Sequence, residues 1–184
     1  MMNKIFCIGL PKTATLSLHF ALQHLGYTSS HYPQIAKIIG GVNGKLVLGV
    51  EEVDKHDAIS DLPVAYFYKK LDQFYPGSKF ICTIRDQESW LDSASRHFKD
   101  PRLNFGANRM LTSIFSSSRF HKDWWINGYK NHISGIAQHF KDRKEDLMFL
   151  NICGGDGWIE LCSFLKKEVP KIETFPDTNK GINK

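Results

Sequence analysis

Short apolar runs alternate with amphipathic segments along this chain, and each apolar run ends at a polar turn. Residues 4–9 (KIFCIG) form the first run, which is followed by a turn rich in small and hydroxyl residues. In residues 17–25 the apolar side chains recur at positions i, i+3, i+4 and i+7, the spacing of one helix face, and Gly26 is a helix stop. The pattern predicts a strand, a loop and a helix in succession.

The same pattern returns twice further along the chain. Residues 79–84 (KFICTI) indicate a buried strand, with predicted helices at 65–74 and 86–98 on either side. Residues 147–153 indicate a third strand, which precedes a predicted helix at Trp158–Leu165. Because such alternation is typical of an α/β fold, we expect a three-layer sandwich around a central, mostly parallel sheet.

Length and composition indicate one folded unit. A chain of 184 residues matches a single domain, and a hydrophobic content of 42% suffices for a core without metal or disulfide, so we expect one domain over residues 1–184. Residues 101–140 are predicted to be mostly helical and are rich in aromatic residues, which suggests a lid or acceptor-side segment. The alternative is that these aromatic residues form core. Residues 168–184 are predicted to be irregular.

Charge and cysteine content narrow the classes of partner. The formal net charge of +5 favours an anionic ligand, although a solvated basic surface is the alternative. The basic residues are scattered, so we expect no nucleic-acid partner. The four cysteines form no CxxC pair and no apolar segment approaches the ~20 residues of a membrane span. We therefore expect a cytoplasmic protein without a membrane partner, and a homo-oligomer is compatible with the sequence.

The loop after the first predicted strand is a candidate anion site. Between a parallel strand and a helix, unpaired backbone N–H groups meet the positive end of the helix dipole. The ATP-binding pattern GxxxxGK[ST] fails when it is started at Gly9, because Ala14 and Thr15 stand where it needs its Gly-Lys pair. Lys12 lies in the middle of the loop instead. An ordinary helix-capping turn is the alternative.

This loop resembles that of the sulfotransferases that use 3'-phosphoadenylyl sulfate, whose 5'-phosphosulfate loop has the pattern PK[ST]GTT. Residues 11–15 match it except for Ala14 in place of glycine, and Leu16 replaces the second hydroxyl residue. The resemblance implies that the phosphosulfate group of this co-substrate is bound by consecutive loop residues. They are Lys12, Thr13, Ala14, Thr15, Leu16 and Ser17.

A second signature of these sulfotransferases is an arginine after a buried strand and a serine eight residues later, which hold the 3'-phosphate. Arg85 follows the predicted strand, and Ser93 stands eight residues beyond it. If the helix starts near Gln87, Ser93 could lie on the same side as the strand end, and Ser89 is the substitute in another register. The alternative is a surface arginine with helix-capping neighbours.

The resemblance also implies a catalytic base ahead of the arginine, at a place often occupied by a histidine before Leu-Pro. Asp61 takes that position here, before Leu62 and Pro63, and would accept the proton of the acceptor. Asp61 as an N-cap of the helix beginning near Pro63 is the alternative.

The resemblance is to a bacterial-type subgroup of the family and covers nearly the whole chain. Further matching blocks lie at residues 75–93, 129–132 (YKNH) and 155–179. The resemblance implies the P-loop nucleoside-triphosphate-hydrolase-like fold of sulfotransferases. It also implies in-line transfer, catalysed by Lys12 and Asp61 without a metal, to a hydroxyl or amine of a small-molecule or carbohydrate acceptor. The alternatives are a P-loop small-molecule kinase using ATP and magnesium, and a catalytically impaired nucleotide-binding relative.

Overall fold

Five parallel strands form a central sheet in the computed structural model, which describes residues 3–39, 45–171 and 174–177. The strands in chain order are β1 (Ile5–Cys7), β2 (Ser29–His31), β3 (Ala36–Ile39), β4 (Lys45–Leu48), β5 (Ala58–Ser60), β6 (Lys79–Thr83) and β7 (Leu147–Leu150). The sheet has the order β2-β5-β1-β6-β7, while β3 and β4 form a separate antiparallel pair.

Helices connect the strands of the sheet. In chain order they are α1 (Thr15–His24), α2 (Val50–Asp54), α3 (Leu62–Phe74), α4 (Gln87–His97), α5 (Phe105–Phe115), α6 (Lys122–His139) and α7 (Trp158–Leu165). None of the helices in the described part of the chain is both long enough and apolar enough to cross a bilayer.

Alternating side chains of the central strands point to opposite faces of the sheet, as strand geometry requires. Phe6 and Phe80, which are paired in register, pack with α3 and α6 on one face. Ile5 and Cys7 pack with α1 and α7 on the other face. The sheet therefore lies between two helical layers, which confirms the α/β three-layer fold.

A third core lies among α3, α4, α5 and α6. Trp90, Phe115 and Trp125 are fully buried there, and the rings of Phe115 and Trp125 stack at 4.0 Å and 4°. The aromatic stretch 101–140 thus contains two helices whose inward faces are core, while Phe105 and Trp124 are exposed.

Residues 27–57 hold structure that the apolar pattern did not reveal: β2, β3, β4 and the short α2. The sequence of β2 is Ser-Ser-His, which has no hydrophobic signal, and it joins the sheet through backbone pairing with β5. The third predicted strand ends at Leu150, earlier than expected. One residue later, a 3₁₀ turn spans Ile152–Gly154. In the segment predicted to be irregular, residues 168–171 and 174–177 contain no helix or strand, and its other residues lie outside the described ones.

Candidate active site

Three loops meet at the carboxyl edge of the sheet, because β5, β1 and β6 are parallel neighbours. The loop after β1 carries Lys12, the residue after β5 is Asp61, and the loop after β6 carries Arg85. In open α/β sheets this edge is where ligands bind. The sheet order therefore brings together the three residues that the sequence singled out.

The loop after β1 is held in an unusual backbone conformation. Lys12 and Ala14 have φ values of 73° and 69°, in the left-handed region that glycine adopts most easily. Ala14 is the N-cap residue of α1 and supplies no side-chain bond to the helix amides. The N-cap residue thus supplies no side-chain acceptor at the start of α1, where helix N–H groups favour an anion.

Contacts with β6 fix the loop. The hydroxyl groups of Thr13 and Thr83 are 2.6 Å apart, and Thr13 Oγ1 also donates to the backbone oxygen of Leu10 at 2.6 Å. Gly9 packs so closely on Thr83 that a Cβ atom would collide with the threonine side chain and backbone. The loop is therefore built against the neighbouring strand.

The other predicted loop residues differ in accessibility. Thr13 is completely buried, Thr15 and Ser17 are almost completely buried, and Leu16 and Lys12 are half-buried. The hydroxyl groups of Thr13, Thr15 and Ser17 therefore lie inside the loop and the first turn of α1. Lys12 carries the loop's accessible charge.

Arg85 joins the loop after β1 to the loop after β6 directly. Its Nη1 donates to the backbone oxygen of Lys12 at 3.3 Å, and its Nε donates to Ser89 Oγ at 3.0 Å. Helix α4 starts at Gln87, as the predicted register required, and is capped by Asp86. Ser93 lies one turn beyond Ser89 and is half-buried. The side-chain bond of Arg85 thus goes to Ser89, the serine of the alternative register.

Positive charges crowd this edge. The pKa of Lys12 is lowered by burial and then by the nearby charge of Arg85, while Asp61 opposes the shift. Burial and the charge of Lys12 likewise lower the pKa of His97, at the end of α4. Because like charges destabilise one another, a bound anion would relieve the repulsion.

Asp61 lies beside these cations and is both a cap and a partner of a histidine. Its Oδ1 accepts a hydrogen bond from the backbone N–H of Leu62 at 2.8 Å, which confirms that it caps α3. Its Oδ2 is 3.1 Å from Nε2 of His31, which ends β2. Its φ of 83° and ψ of −169° fall in a region that is essentially restricted to glycine. A carboxylate held in a strained backbone at a ligand-binding edge is a candidate for chemistry.

Helix α6 ties the strand ends together through two residues of the YKNH segment. The hydroxyl of Tyr129 accepts from the backbone N–H of Arg85 at 3.1 Å and donates to the oxygen of the same residue at 2.9 Å. Nε2 of His132 bonds the backbone oxygen of Ile8 at 2.8 Å. Burial lowers the pKa of His132 to about 4, so this ring is a neutral donor near pH 7. One turn of α6 thus positions both loops.

Sequence reasoning missed His31, and it recognised the YKNH segment only as a pattern without a task. The strand that carries His31 is polar, and its position beside Asp61 follows from the pairing of His31 with Ser60. No local signal in the chain marks that pairing. Among the described residues, no group of three or more histidine, cysteine or acidic side chains could hold a metal ion.

Comparison with known families matches this chain to the sulfotransferase domain over residues 4–44 and 50–183. One similar protein is "Ava biosynthesis cluster protein M" from Aspergillus versicolor. It is 32% identical over 217 aligned positions, which cover 94% of this chain and 79% of the relative.

Proposed function

The chain belongs to the sulfotransferase family, and on this premise we propose that it transfers a sulfuryl group from 3'-phosphoadenylyl sulfate to an acceptor hydroxyl or amine. One observation carries the proposal: Lys12, Arg85 and Asp61 lie on adjacent loops at one edge of the sheet. Two cations suit the two phosphate-bearing ends of the donor, and the carboxylate beside them suits a proton acceptor.

The loop chemistry supports binding of this donor. Lys12 and the backbone N–H groups at the start of α1 would hold the 5'-phosphosulfate. Arg85, with Ser89 or Ser93 on α4, would hold the 3'-phosphate by charge-assisted hydrogen bonds. Ala14 already has a left-handed conformation, which glycine adopts most easily, so its methyl group does not prevent the loop from folding.

The reaction would need one proton acceptor and one site for developing negative charge. The donor supplies an activated sulfuryl group, whose bond to the phosphate oxygen breaks with its electron pair as the acceptor oxygen or nitrogen bonds to sulfur. Asp61 would take the proton that the acceptor loses. Lys12 and the helix N–H groups would stabilise the charge on the departing phosphate without any movement of the loop.

The acceptor proposed here is a small molecule. The name of the Aspergillus relative refers to a biosynthesis cluster, which is compatible with a small-molecule acceptor. The pKa of Tyr32 is raised by burial and also by Asp61, and a side-chain hydrogen bond to Asn104 opposes the rise. Tyr32 therefore lies near the proposed base and is hydrogen-bonded to Asn104, which caps α5 in the 101–140 segment.

Calorimetric titration tests donor binding before any acceptor is known. Adenosine 3',5'-bisphosphate should bind without magnesium, and adenosine 5'-phosphate should bind much more weakly because it lacks the group that Arg85 contacts. Arg85→Ala should remove this difference, whereas Arg119→Ala, at an exposed ion pair with Asp100, should keep it. Binding of ATP with magnesium and not of the bisphosphate would refute the proposal in favour of a kinase.

Transfer itself is tested with the sulfate donor labelled with ³⁵S and a panel of small alcohols, phenols and amines. Labelled product from one of these classes supports the proposal, and loss of that product in Lys12→Ala ties it to this site. If the protein binds the bisphosphate but transfers sulfate to no acceptor class, it is a nucleotide-binding relative without transfer activity.

A further inference from the structure

His31 and Ser60 extend the proposed catalytic carboxylate into a chain of three side chains. Nε2 of His31 is 3.1 Å from Oδ2 of Asp61, and Nδ1 of the same ring is 2.9 Å from Oγ of Ser60. Ser60 is completely buried at the end of β5, one residue before Asp61. The two strands β2 and β5 pair so that His31 and Ser60 are directly opposite. The pairing of the two strands therefore fixes the positions of these three side chains.

We propose that His31 is a positioning residue that holds the carboxylate of Asp61 in its reactive orientation, and that the hydroxyl of Ser60 fixes the histidine ring by donating to its other nitrogen. The inference rests on the proposed function of Asp61 as the proton acceptor. It assigns a task to two residues that the sequence did not single out.

The hydrogen-bonding capacity of each group determines the tautomer. An ionised carboxylate can only accept hydrogen bonds, so Nε2 of His31 must carry a proton. A neutral imidazole has a single N–H, so its Nδ1 must then accept, and the hydroxyl of Ser60 is the donor. His19, whose ring centre is 5.9 Å from that of His31, bonds Ser29 Oγ through its own Nδ1. Burial lowers the pKa of His19, so this neighbour adds no positive charge near pH 7 that would compete for Asp61.

Asp61 needs such support because its backbone is strained. The backbone N–H of Leu62 binds Oδ1, and His31 binds Oδ2, so the plane of the carboxylate is defined by two donors. Each carboxylate oxygen can accept a second hydrogen bond, which leaves capacity for the acceptor's O–H or N–H. Catalytic groups require orientations within about 10–20°, which neighbouring residues must maintain.

The buried position of Ser60 argues against His31 as the proton acceptor itself. In the Nε2–H tautomer, the nitrogen of His31 that is free of a proton faces Ser60, which has no exposed surface. An acceptor molecule cannot reach it there. Among these three hydrogen-bonded side chains, the accessible basic group is the carboxylate of Asp61, whose side chain is 16% exposed.

Three substitutions of His31 separate orientation from simple stability. A glutamine amide reaches about as far as Nε2 and can still donate to Asp61, whereas an asparagine amide lies near the position of Nδ1 and meets Ser60. We expect His31→Asn and His31→Ala to lower kcat by about 10- to 100-fold, the range known for residues that orient metal ligands, while His31→Gln keeps most of the activity. The affinity for adenosine 3',5'-bisphosphate should stay the same in all three.

The pair of His139 and Asp72 provides a matched control. It has the same contact between Nε2 and Oδ2, at 2.7 Å, but Asp72 lies ten residues along α3 from its start, roughly 15 Å away at 1.5 Å per residue. The same three substitutions of His139 should lower the melting temperature and leave kcat unchanged. Equal kcat in His31→Gln and His31→Asn, or a parallel loss of bisphosphate affinity, would refute the positioning role.

A nuclear magnetic resonance measurement tests the inference without transfer activity. Long-range ¹H–¹⁵N spectra should show His31 in the Nε2–H tautomer, and Ser60→Ala should keep this tautomer because Asp61 still requires the Nε2 proton. An Nδ1–H tautomer in the unmodified protein refutes the inference even if sulfate transfer is observed. The expected tautomer together with no transfer to any acceptor would refute the proposed function and leave the histidine chain as a structural feature.

Discussion

The two ends of α3 carry aspartates with the same kind of histidine partner and very different surroundings. Asp72, in the last turn, accepts hydrogen bonds from Arg143 Nη1 at 2.9 Å, from Arg143 Nη2 at 2.6 Å and from His139 Nε2. Asp61, at the start, is bound by His31 and by one backbone N–H, and no arginine bonds its carboxylate within the described residues.

The difference separates a structural carboxylate from a proposed reactive one. The bidentate contact with Arg143 lowers the pKa of Asp72 and joins α3 to the end of α6, so its bonding capacity serves the fold. Asp61 keeps unused capacity, has a strained backbone and lies at the edge of the sheet where ligands bind. A histidine partner alone therefore does not indicate function; the position and the remaining bonding capacity do.

Neutralising each aspartate tests the comparison most strongly. Asp61→Asn keeps the size of the side chain and its capping oxygen but removes the base, so we expect kcat for sulfate transfer to fall by about 10²- to 10⁴-fold. Asp72→Asn should leave kcat unchanged. Steady-state kinetics with a fixed acceptor measure both values. Loss of kcat in both variants to the same degree would contradict the distinction.

Removing the carboxylate of Asp72 should lower the stability of the fold, although it does not change kcat. Asp72→Ala takes away three charge-assisted hydrogen bonds, and we expect the free energy of unfolding to fall by about 1–3 kcal/mol. Because Arg143 is partly exposed, water compensates some of the loss. Urea unfolding followed by circular dichroism measures the change. Asp142→Ala, at an exposed position, is the control and should have no effect.

Acid should remove the same contribution of Asp72. Its pKa is lowered in the folded state by Arg143, so the unfolded chain binds more protons at low pH than the folded chain does. The stabilisation is present above the unfolded pKa of about 3.9 and is lost as the pH falls through the folded value. The difference in unfolding free energy between the unmodified protein and Asp72→Ala should therefore shrink below about pH 4. A constant difference down to pH 2 would contradict this assignment.

Strain at Asp61 predicts a stable but inactive variant. A non-glycine residue in this backbone region costs about 1–3 kcal/mol, which Asp61→Gly would relieve. The greater freedom of glycine in the unfolded chain offsets about 0.4–1 kcal/mol, and loss of the cap a few tenths more. We expect unchanged or higher thermal stability together with loss of transfer. A clear decrease in the melting temperature would show that the strain is absent.

Ala14 offers a smaller test of strain at the other loop. Its φ of 69° and ψ of 31° are left-handed, so Ala14→Gly should raise the free energy of unfolding by a few tenths to about 1 kcal/mol. Ala137→Gly, at an exposed position inside α6, should lower it by about 0.5–1 kcal/mol. Bisphosphate affinity should not fall in Ala14→Gly, because glycine is the residue that this loop conformation favours. Equal destabilisation in both variants would contradict a strained, left-handed backbone at Ala14.

The sequence was most informative where structure and chemistry are local. Hydrophobic runs located β1, β6 and β7, and the acidic cap placed the start of α4 at Gln87. It could not locate β2, whose polar residues are held by backbone pairing with β5. It favoured Ser93 over Ser89 as the partner of Arg85, whereas the hydrogen bond of Nε goes to Ser89, because a side-chain rotamer decides that contact.

Asp61 shows where sequence reasoning left two alternatives open. Capping of α3 and proton transfer seemed to compete, because both explain an aspartate before Leu-Pro. In the structure the cap uses Oδ1, and Oδ2 faces His31. The cap is therefore compatible with the proposed base.

By itself, the sequence determined β1, β6 and β7 with the helices that follow them, and placed Lys12 and Arg85 in the loops after two of these strands, since such patterns depend on neighbours along the chain. Only the tertiary structure decided which of these loops are adjacent. The order β2-β5-β1-β6-β7 brings Lys12, Asp61 and Arg85 together and sets His31 beside a carboxylate thirty positions away. The physical reason is that parallel strands pair over long stretches of sequence, and local patterns do not encode which edge a strand will join.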